Sequence, residues 1–323
     1  MELQFRAMQP KYWLNHMAEQ LGVKPRNGKV VIPSSLGKGY LQQLQLEEEL
    51  YVTLLDVTLK KELTLTRTAT KDVDYYPIMF YMLHKAGEQE IAGEVLNIGS
   101  YTKHAVFFPS PHIDTKYHYD KNKRILALTI SASGNWLKAH IDKSRASIKE
   151  QLSNGKPFFF FEELTPVLQE YANLLMQRMR HQLPSRLSLS AAAYELMDRC
   201  FAKINERLLG IDTLSIHNDD LQQLFEVQRI LHESFVAPPT VAELARTAGM
   251  GVTKLQQLFK QVYGKSIYQY VLYIKMREAR RLLEETNCTV AEAGMSVGYD
   301  NLSHFATAFK KIYNFTPKAF SKK

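Results

Sequence analysis

The strongest constraint on this chain is a four-residue sequence that occurs twice in its last third. Thr-Val-Ala-Glu occupies residues 240–243 and returns at residues 289–292, 49 positions later. In each copy the Thr hydroxyl can accept a hydrogen bond from the backbone N–H three residues on, while the Glu carboxylate reaches back to the Thr amide. Both copies therefore predict the start of a helix.

Each copy continues with the same pattern of elements. A glycine, Gly249 or Gly298, predicts the end of the first helix, and a second helix is predicted at residues 252–262 or 302–313. A helix, a glycine-containing turn and a further helix form the helix-turn-helix pattern. A single such pair is weak evidence, whereas two copies that agree in starts, turns and tails indicate a tandem repeat of the motif.

The tails of the second helices and the segment between the copies complete the repeat. Phe-Lys-Gln-Val-Tyr-Gly-Lys-Ser at residues 259–266 corresponds to Phe-Lys-Lys-Ile-Tyr-Asn-Phe-Thr at residues 309–316. Residues 267–285 are predicted to form one connecting helix that spans roughly 27 Å at about 1.5 Å per residue. Since one turn of B-DNA is about 34 Å, such a helix could place both second helices in successive major grooves.

The charge distribution points to the same region. The chain carries a formal net charge of +8, and residues 240–323 contain thirteen Lys or Arg against six Asp or Glu. Nearly all of the excess charge therefore lies in the last quarter of the chain. A basic terminal domain indicates a nucleic-acid partner, and the alternative is a basic surface that only faces solvent.

The N-terminal part of the chain has the pattern of short strands. Residues 28–135 are rich in β-branched and aromatic residues and contain frequent turn signals. Strands are predicted at residues 50–59, 63–68, 76–83, 104–108 and 125–130, with turns at 37–39, 85–87 and 120–123. Many short strands at this spacing are typical of an antiparallel barrel or sandwich.

The hydrophobic period becomes helical between about residues 160 and 210. The apolar positions that recur at steps of three or four are Leu164, Leu168, Tyr171, Leu175 and Met179. Pro184 predicts the end of this helix, and Gly210 predicts the end of a second helix at 188–209. Residues 211–218 are predicted to be a linker.

The repeat region resembles the C-terminal domain of the AraC/XylS family of bacterial regulators. The residues that carry this resemblance are 240–245, 255–260, 263–266, 298–305, Phe309, Lys310, Thr316 and Pro317. The resemblance implies a seven-helix domain with two helix-turn-helix units, double-stranded DNA and RNA polymerase as partners, and activation as the usual mode of regulation. It also implies an N-terminal domain that senses a ligand or dimerises.

The N-terminal half resembles the same family, in which a cupin-like barrel binds a small effector and the helices after it dimerise. Residues 37–40 and the strands after them are loosely similar to the siderophore-responsive branch. We therefore predict an α+β fold with two domains. Residues 1–217 would form a cupin-like β-barrel (strands about 28–135, helices about 160–210) that binds a small-molecule effector and forms a homodimer through helices at about 164–209. Residues 218–323 would form an all-α domain of two helix-turn-helix units.

Polar residues on the second helices are the candidate DNA contacts. Base contacts are predicted for Thr253, Lys254, Gln256 and Gln257 in the first unit, and the resemblance implies them for Leu302, Ser303, His304 and Thr307 in the second. Gln can bridge N6 and N7 of adenine, and Thr can pack its methyl group against thymine. Phosphate contacts are predicted for Lys260, Lys310 and Lys311. The alternative for each of these residues is an exposed side chain that contacts nothing.

Core positions and one departure from the family pattern complete these assignments. The predicted core residues of the repeat are Leu244, Ala245, Leu255, Phe259, Phe305 and Phe309. Gly251 stands where family members often have Ser or another capping residue. Glycine is an acceptable cap, so this departure leaves open only the exact start of the second helix of the first unit.

Two other functions stay open at this point. A metal-dependent cupin enzyme needs clustered ligands around a His-x-His core, whereas His104, His112 and His118 are scattered, so no catalytic residue, metal or cofactor is predicted. A constitutive regulator would use its N-terminal domain only to dimerise. A hydrophobic cavity in the barrel would favour the sensor, a solid core would favour the dimeriser, and metal retained through purification would favour the enzyme.

The chain lacks the sequence signals of a membrane or secreted protein. It has no apolar run of about 18 residues, and its N-terminus lacks the basic-then-apolar pattern of a signal peptide. Its two cysteines, Cys200 and Cys288, lie far apart in sequence and fit a reducing compartment. A cytoplasmic bacterial protein without a membrane segment is predicted.

Overall fold

The computed structural model describes the chain except for residues 71, 83–86, 92–93, 99–103, 182–184, 210–213, 287 and 321–323. Lys85 and Ala86 of one predicted turn, the helix-ending residues Pro184 and Gly210, and part of the predicted linker lie outside the described residues. The chain folds as two compact units, Met1–Gln222 and Gln223–Lys323, which we describe separately.

All strands of the described residues lie in the first unit. They are β1 Glu2–Arg6, β2 Lys29–Val31, β3 Gly37–Glu47, β4 Leu50–Leu59, β5 Leu63–Thr68, β6 Tyr75–Met82, β7 Gly87–Ile91, β8 Glu94–Ile98, β9 His104–Pro109, β10 Thr115–Tyr119, β11 Arg124–Ser133 and β12 Phe159–Glu163. They form a five-stranded sheet in the order β1-β5-β10-β7-β8 and a seven-stranded sheet in the order β12-β9-β6-β11-β4-β3-β2. The five predicted strands correspond to β4, β5, β6, β9 and β11.

The predicted turn at Gly37 and Gly39 is wrong, because both glycines lie inside β3. A Cβ added at Gly37 would lie 2.3 Å from the carbonyl oxygen of Thr58, and one at Gly39 would lie 2.1 Å from that of Asp56. The glycines are therefore needed where β3 approaches the backbone of β4, and Gly39 also has φ +109°. The turn itself precedes them, where the Leu36 N–H donates to the Pro33 carbonyl oxygen at 2.9 Å.

The helices of the described residues are divided between the two units. Those of the first unit are α1 Pro10–Gln20, α2 Gly134–His140, α3 Ala146–Ser153, α4 Pro166–Met179 and α5 Arg186–Leu208. The helix α6 Asn218–Glu233 contains the division between the units, and α7 Val241–Thr247, α8 Val252–Tyr263, α9 Ile267–Glu285, α10 Val290–Ser296, α11 Leu302–Tyr313 and α12 Pro317–Phe320 follow. The two helices predicted between about residues 160 and 210 are α4 and α5. The predicted start of this helical zone is wrong, because residues 159–163 form β12 and α4 begins at Pro166. The sequence does not predict α1, α2 and α3.

The seven-stranded sheet is covered on both faces. One face packs against α4 and α5, and Phe80 and Leu128 share a hydrophobic core with Leu175 and Leu196. The other face lies against the five-stranded sheet, where the ring of Tyr81 on β6 stacks on that of Tyr117 on β10 at a centroid distance of 6.0 Å. Burial on both sides explains why β6 and β11 have few polar residues.

The second unit has the architecture that the repeat predicts. Thr240 and Thr289 each accept a hydrogen bond from the backbone N–H of a Glu three residues on, and each Glu side chain accepts from the Thr amide. Both predicted capping boxes are therefore confirmed, at the starts of α7 and α10. With α6 and α12, the helices α7–α8 and α10–α11 and the connecting helix α9 give seven helices in the described residues.

The two turn glycines of the repeat should respond differently to the same substitution. Gly249 (φ +59°) has open space where a Cβ would be, whereas a Cβ at Gly298 (φ +80°) would lie 2.8 Å from the carbonyl oxygen of Val236. We expect Gly249→Ala to lower the free energy of unfolding by about 1–2 kcal/mol through its left-handed backbone alone. Gly298→Ala should lower it further, because backbone atoms must also move. Urea unfolding followed by circular dichroism tests this, and equal losses would contradict the predicted clash.

Candidate nucleic-acid interface and inter-sheet cavity

The first recognition helix, α8, separates its apolar and polar side chains onto two faces. The buried face consists of Leu255, Leu258, Phe259 and Val262, each with no exposed surface. The exposed residues include all of the predicted contacts on this helix, Thr253, Lys254, Gln256, Gln257 and Lys260. Because the apolar face must pack inward, these polar side chains share the surface that a ligand of this helix would meet.

The second recognition helix, α11, has the same division with fewer long polar side chains. Phe305 and Phe309 are fully buried. The predicted contacts Leu302, Ser303, His304, Thr307, Lys310 and Lys311 are all exposed. The hydroxyl of Thr307 donates to the carbonyl oxygen of Ser303 at 2.9 Å, so its proton is already used within the helix. Its methyl group and acceptor lone pairs remain for a ligand.

The two recognition helices begin differently. The Asn301 side-chain oxygen accepts hydrogen bonds from the backbone N–H groups of Ser303 at 2.9 Å and His304 at 3.2 Å. Gly251 caps α8 with its backbone alone. The predicted contacts and caps do not include Asn301, although an Asn directly before a predicted helix is a recognisable cap signal. The cap fixes the start of α11, where Ser303 and His304 are predicted to contact bases.

A buried polar network holds α6 against α8 and α9. The Gln228 amide nitrogen donates to the Tyr270 hydroxyl at 2.7 Å, and Nε2 of His232 lies 3.1 Å from the same hydroxyl. The Tyr263 hydroxyl donates to the carbonyl oxygen of Leu224 at 3.3 Å. Burial, and secondarily the charge of Arg277, lowers the pKa of His232 to about 3. The network therefore contains a neutral imidazole at neutral pH.

Basic side chains on the recognition helices differ from those on α9 in their partners. On α9, Arg280 pairs with Glu284 at 3.0 Å, and Arg281 pairs with Glu278 at 2.6 Å. Among the described residues, no ion pair with a carboxylate involves Lys260, Lys310 or Lys311. No carboxylate in the described residues therefore competes with a phosphate group for these three exposed ammonium groups.

In the first unit, a cavity lies between the two sheets. Along β4, β6 and β11, alternate residues point to opposite faces of the seven-stranded sheet. Leu54, Phe80 and Leu128 face α4 and α5, whereas their strand neighbours Leu55, Tyr81 and Ala127 line the cavity. The cavity has a volume of about 130 Å³ and mostly apolar walls. We call it the inter-sheet cavity.

The histidines considered as metal ligands do not form a metal cluster in the described part of the chain. His118 on β10 has its Nδ1 atom 3.1 Å from the hydroxyl of Thr64 on β5. Within the same described residues, no group of three or more His, Cys, Asp or Glu side chains is arranged to hold a metal ion. The described helices also include none that is long and apolar enough to cross a membrane.

Comparison with known proteins places the repeat in a family. A family model described as a helix-turn-helix domain matches residues 244–323. The chain is similar to the Msm operon regulatory protein of Streptococcus mutans, with 28% identity over 30% of this chain and 35% of that protein. It is also similar to the transcriptional regulator ExsA of Pseudomonas aeruginosa, with 24% identity over 61% of this chain and 69% of that protein.

A solved structure gives a further likeness. It is the crystal structure of an AraC-type transcriptional regulator from Chromobacterium violaceum, with 24% identity and a TM-score of 0.30, covering 32% of this chain and 94% of that one. The tandem motif and the family match agree that residues 244–323 form a helix-turn-helix domain. In this region the chain is similar to transcription regulators of AraC type. It spans about a third of the Msm regulator and about two thirds of ExsA.

Lowering the pH should destabilise the second unit through His232. The folded pKa is about 3 and the usual value is 6.5, so below pH 6.5 the unfolded chain gains a proton that the folded chain does not. We expect the free energy of unfolding to fall between pH 6.5 and 3, by up to about 1.4 kcal/mol per pH unit, and to be insensitive to this group above about pH 7.

Urea unfolding of the full chain between about pH 7.5 and about pH 5.5 measures this dependence above the range in which carboxylates titrate. The variant His232→Gln should lose the slope, and His304→Gln, which alters an exposed histidine of α11, should keep it. The same slope in wild type and His232→Gln would show that the network does not exclude the proton.

Proposed function

We propose that the protein is a sequence-specific, DNA-binding transcription regulator that acts as an activator and responds to a small molecule bound in its first unit. The observation that carries the DNA-binding part is the exposed polar face on both α8 and α11, each held by a buried apolar face. Polar side chains on a second helix that follows a tight turn are suited to reading base edges in the major groove.

The connecting helix supports engagement of two grooves at once. The helix α9 contains 19 residues, and the 18 steps between its ends correspond to about 27 Å at about 1.5 Å per residue. This length approaches the pitch of about 34 Å that separates successive major-groove sites on one face of B-DNA. A rigid spacer of this kind favours binding of both recognition helices to one duplex, and RNA polymerase is the partner that an activator bound there would recruit.

The two units would contribute unequally to recognition. Gln256 and Gln257 on α8 can each form paired hydrogen bonds with adenine. On α11, Ser303 has a short side chain and Thr307 has its hydroxyl proton engaged, which leaves His304 as the longest polar side chain among the proposed base contacts. Direct readout therefore depends more on α8, while Lys310 and Lys311 add contacts to phosphates.

Substitutions on the two kinds of contact should separate specificity from affinity. Gln257→Ala or Gln256→Ala should cost about 1–3 kcal/mol on the cognate sequence and relax specificity at the base pair concerned. Lys310→Ala should weaken binding to all sequences alike and reduce the salt dependence by about one phosphate contact. Lys121→Ala, which removes an exposed lysine of the first unit, is the matched charge control.

Fluorescence anisotropy with a DNA site selected from random sequence, and with a scrambled site, measures these effects at several salt concentrations. Unchanged binding by the Gln257, Gln256 and Lys310 variants would exclude the proposed recognition faces. A loss of specificity in Lys310→Ala would show that this lysine reads bases and not phosphates.

The inter-sheet cavity favours an effector-binding, cupin-like barrel over a constitutive dimeriser. A first unit that only dimerised would be expected to fill the space between its sheets, because unfilled apolar volume lowers stability. The cavity is lined by residues of both sheets, including Leu65 of β5 and Met79 of β6. The alternatives, a constitutive regulator and a cupin enzyme joined to a DNA-binding domain, lack a comparable supporting feature.

The pair α4 and α5 is the proposed homodimer surface. Val167 is 48% exposed and Leu187 is 85% exposed, although both are apolar. Exposed apolar side chains on adjacent helices are suited to burial against a second copy. We propose a cytoplasmic bacterial location, where such a dimer would have access to DNA.

Filling the cavity should remove the response to the effector. Ala127 lies on β11 and lines the cavity, so Ala127→Met would occupy ligand volume at a cost in stability of about 1–3 kcal/mol. We expect a reporter gene under the selected DNA site to lose its dependence on growth conditions, while the purified variant still binds the site. Condition-dependent output equal to that of wild type would favour the constitutive regulator.

A further inference from the structure

Arg67 places a charged group where the strand pattern calls for an apolar one. On β5 the buried positions alternate as Leu63, Leu65 and Arg67, and the residues between them are more exposed. Arg67 is only 7% exposed and lines the inter-sheet cavity together with Leu65. Its guanidinium therefore lies at the wall of the cavity and not at the protein surface.

The hydrogen bonds of Arg67 with described residues are to neutral carbonyl groups. One guanidinium nitrogen donates to the carbonyl oxygen of Ile113 at 2.9 Å and the other to that of Pro111 at 3.4 Å. Among the described residues, no carboxylate forms an ion pair with it. Asp114 acts on it only through longer-range attraction, and its carboxylate accepts from the Ala69 amide at 2.6 Å.

A buried cation in such surroundings needs an anion. Charged groups inside proteins are ordinarily paired, because removing an isolated charge from water is very unfavourable. A guanidinium has five N–H donors, and two hydrogen bonds leave several of them for a further acceptor. A carboxylate matches this fork of donors in shape and charge.

The walls next to Arg67 are aromatic. The rings of Tyr81 and Tyr117 stack at a centroid distance of 6.0 Å, and those of Tyr117 and Tyr119 at 6.2 Å. Trp13 of α1 and Phe5 of β1 also line the cavity and pack edge to face at 6.1 Å. Flat aromatic surfaces favour a flat apolar ligand over a flexible one.

The phenols of these walls stay neutral. Burial raises the pKa of Tyr81, Tyr117 and Tyr119, so none of them supplies the negative charge that Arg67 lacks near neutral pH. The hydroxyls of Tyr81 and Tyr119 lie 3.3 Å apart, and that of Tyr117 donates to the sulfur of Met79 at 3.1 Å. Within the described residues, the charge of Arg67 is met only by the longer-range attraction of Asp114, which leaves its guanidinium able to pair with an anionic ligand.

The volume limits the size of this ligand. The cavity measures about 130 Å³, close to that of an engineered apolar cavity of about 150 Å³ that takes up benzene. One six-membered ring with a small substituent fits such a space, whereas a fused ring system or a long chain would need the sheets to separate.

We propose that the inter-sheet cavity binds a small aromatic carboxylate, whose anionic group pairs with Arg67 and whose ring packs among the aromatic side chains of the two sheets. The proposal rests on the effector role proposed above and names the chemical class of the effector.

Tryptophan fluorescence provides a local measurement of binding. The chain has two tryptophans, of which Trp13 lines the cavity and Trp136 lies apart from it, with its indole nitrogen donating to Glu47 at 2.7 Å. In a Trp136→Phe background, Trp13 is the only tryptophan and reports directly on ligand in the cavity. The probes are benzoate, benzamide as its neutral counterpart, and acetate as an anion without a ring.

We expect benzoate to change the Trp13 fluorescence and to bind at least about tenfold more tightly than either benzamide or acetate. Equal affinity for benzoate and benzamide would show that the cavity does not recognise the negative charge. Equal affinity for benzoate and acetate would show that it does not recognise the aromatic ring. Either result would overturn the proposal, as would the absence of benzoate binding up to about 10 mM.

Variants at Arg67 test its role independently of the ligand series. Arg67→Gln should weaken benzoate binding at least about tenfold and leave benzamide binding unchanged, and Arg67→Lys should recover part of the benzoate affinity. An equal loss for both ligands would mean that Arg67 acts only through the structure of the barrel, contrary to the proposal. If Arg67→Gln does not fold, the wild-type ligand series decides.

The ligand class and the effector role fail separately. If benzoate does not bind but Ala127→Met abolishes regulation, the cavity accepts an effector of another class and only the aromatic carboxylate is wrong. If benzoate binds with the expected selectivity but Ala127→Met leaves regulation unchanged, the site is correct and the effector role falls.

Discussion

Each recognition helix can present only one face to a ligand, because its opposite face must be removed from water. Phe259 and Phe309 occupy corresponding positions in the two copies, and both are fully buried. Full burial of a Phe side chain stabilises a domain by about 2–3 kcal/mol relative to exposure, so rotation of either helix about its axis is strongly opposed. The polar faces of α8 and α11 are thus determined by packing and not by the residues that would contact DNA.

The same separation of faces organises the first unit, with the period of a strand in place of that of a helix. A shift of one residue in β6 or β11 would exchange the side chains that meet α4 and α5 for those that line the inter-sheet cavity. The core against the helices and the walls of the cavity are therefore determined by one register. In β4, β6 and β11, substitutions at even-numbered residues such as Phe80 affect packing against the helices, whereas those at odd-numbered residues such as Tyr81 affect the cavity.

Sequence alone predicts the elements whose signals are local. The capping boxes at Thr240 and Thr289 and the bounds of α9 and α11 depend on hydrogen bonds and periodicity within a few residues, and the structure agrees with them. The sequence does not predict β1, which pairs in parallel with β5 about sixty residues away, because nothing near residues 2–6 indicates that pairing partner. For the same reason Gly37 and Gly39 were assigned to a turn, since only the approach of β4 distinguishes a strand glycine from a turn glycine.

Among the candidate site residues, too, the sequence predicts what depends on local signals and not what depends on distant contacts. The exposed faces of α8 and α11 were accessible from the helical period, whereas the DNA contacts proposed on them depend on a partner that the chain does not contain. Arg67 carried a readable signal, a charge in the apolar phase of β5, but its meaning required the cavity that only the folded sheets create. The network around His232 had no comparable signal, because its members lie on three helices.

The unequal starts of α8 and α11 determine which positions of the two helices tolerate substitution. Open space surrounds Gly251, and no side-chain hydrogen bond depends on it, so many residues can replace it without loss of fold. Asn301 holds two backbone N–H groups of α11, and most replacements would release them. Substitution at position 251 should therefore leave α8 in place, whereas substitution of Asn301 should loosen the first turn of α11.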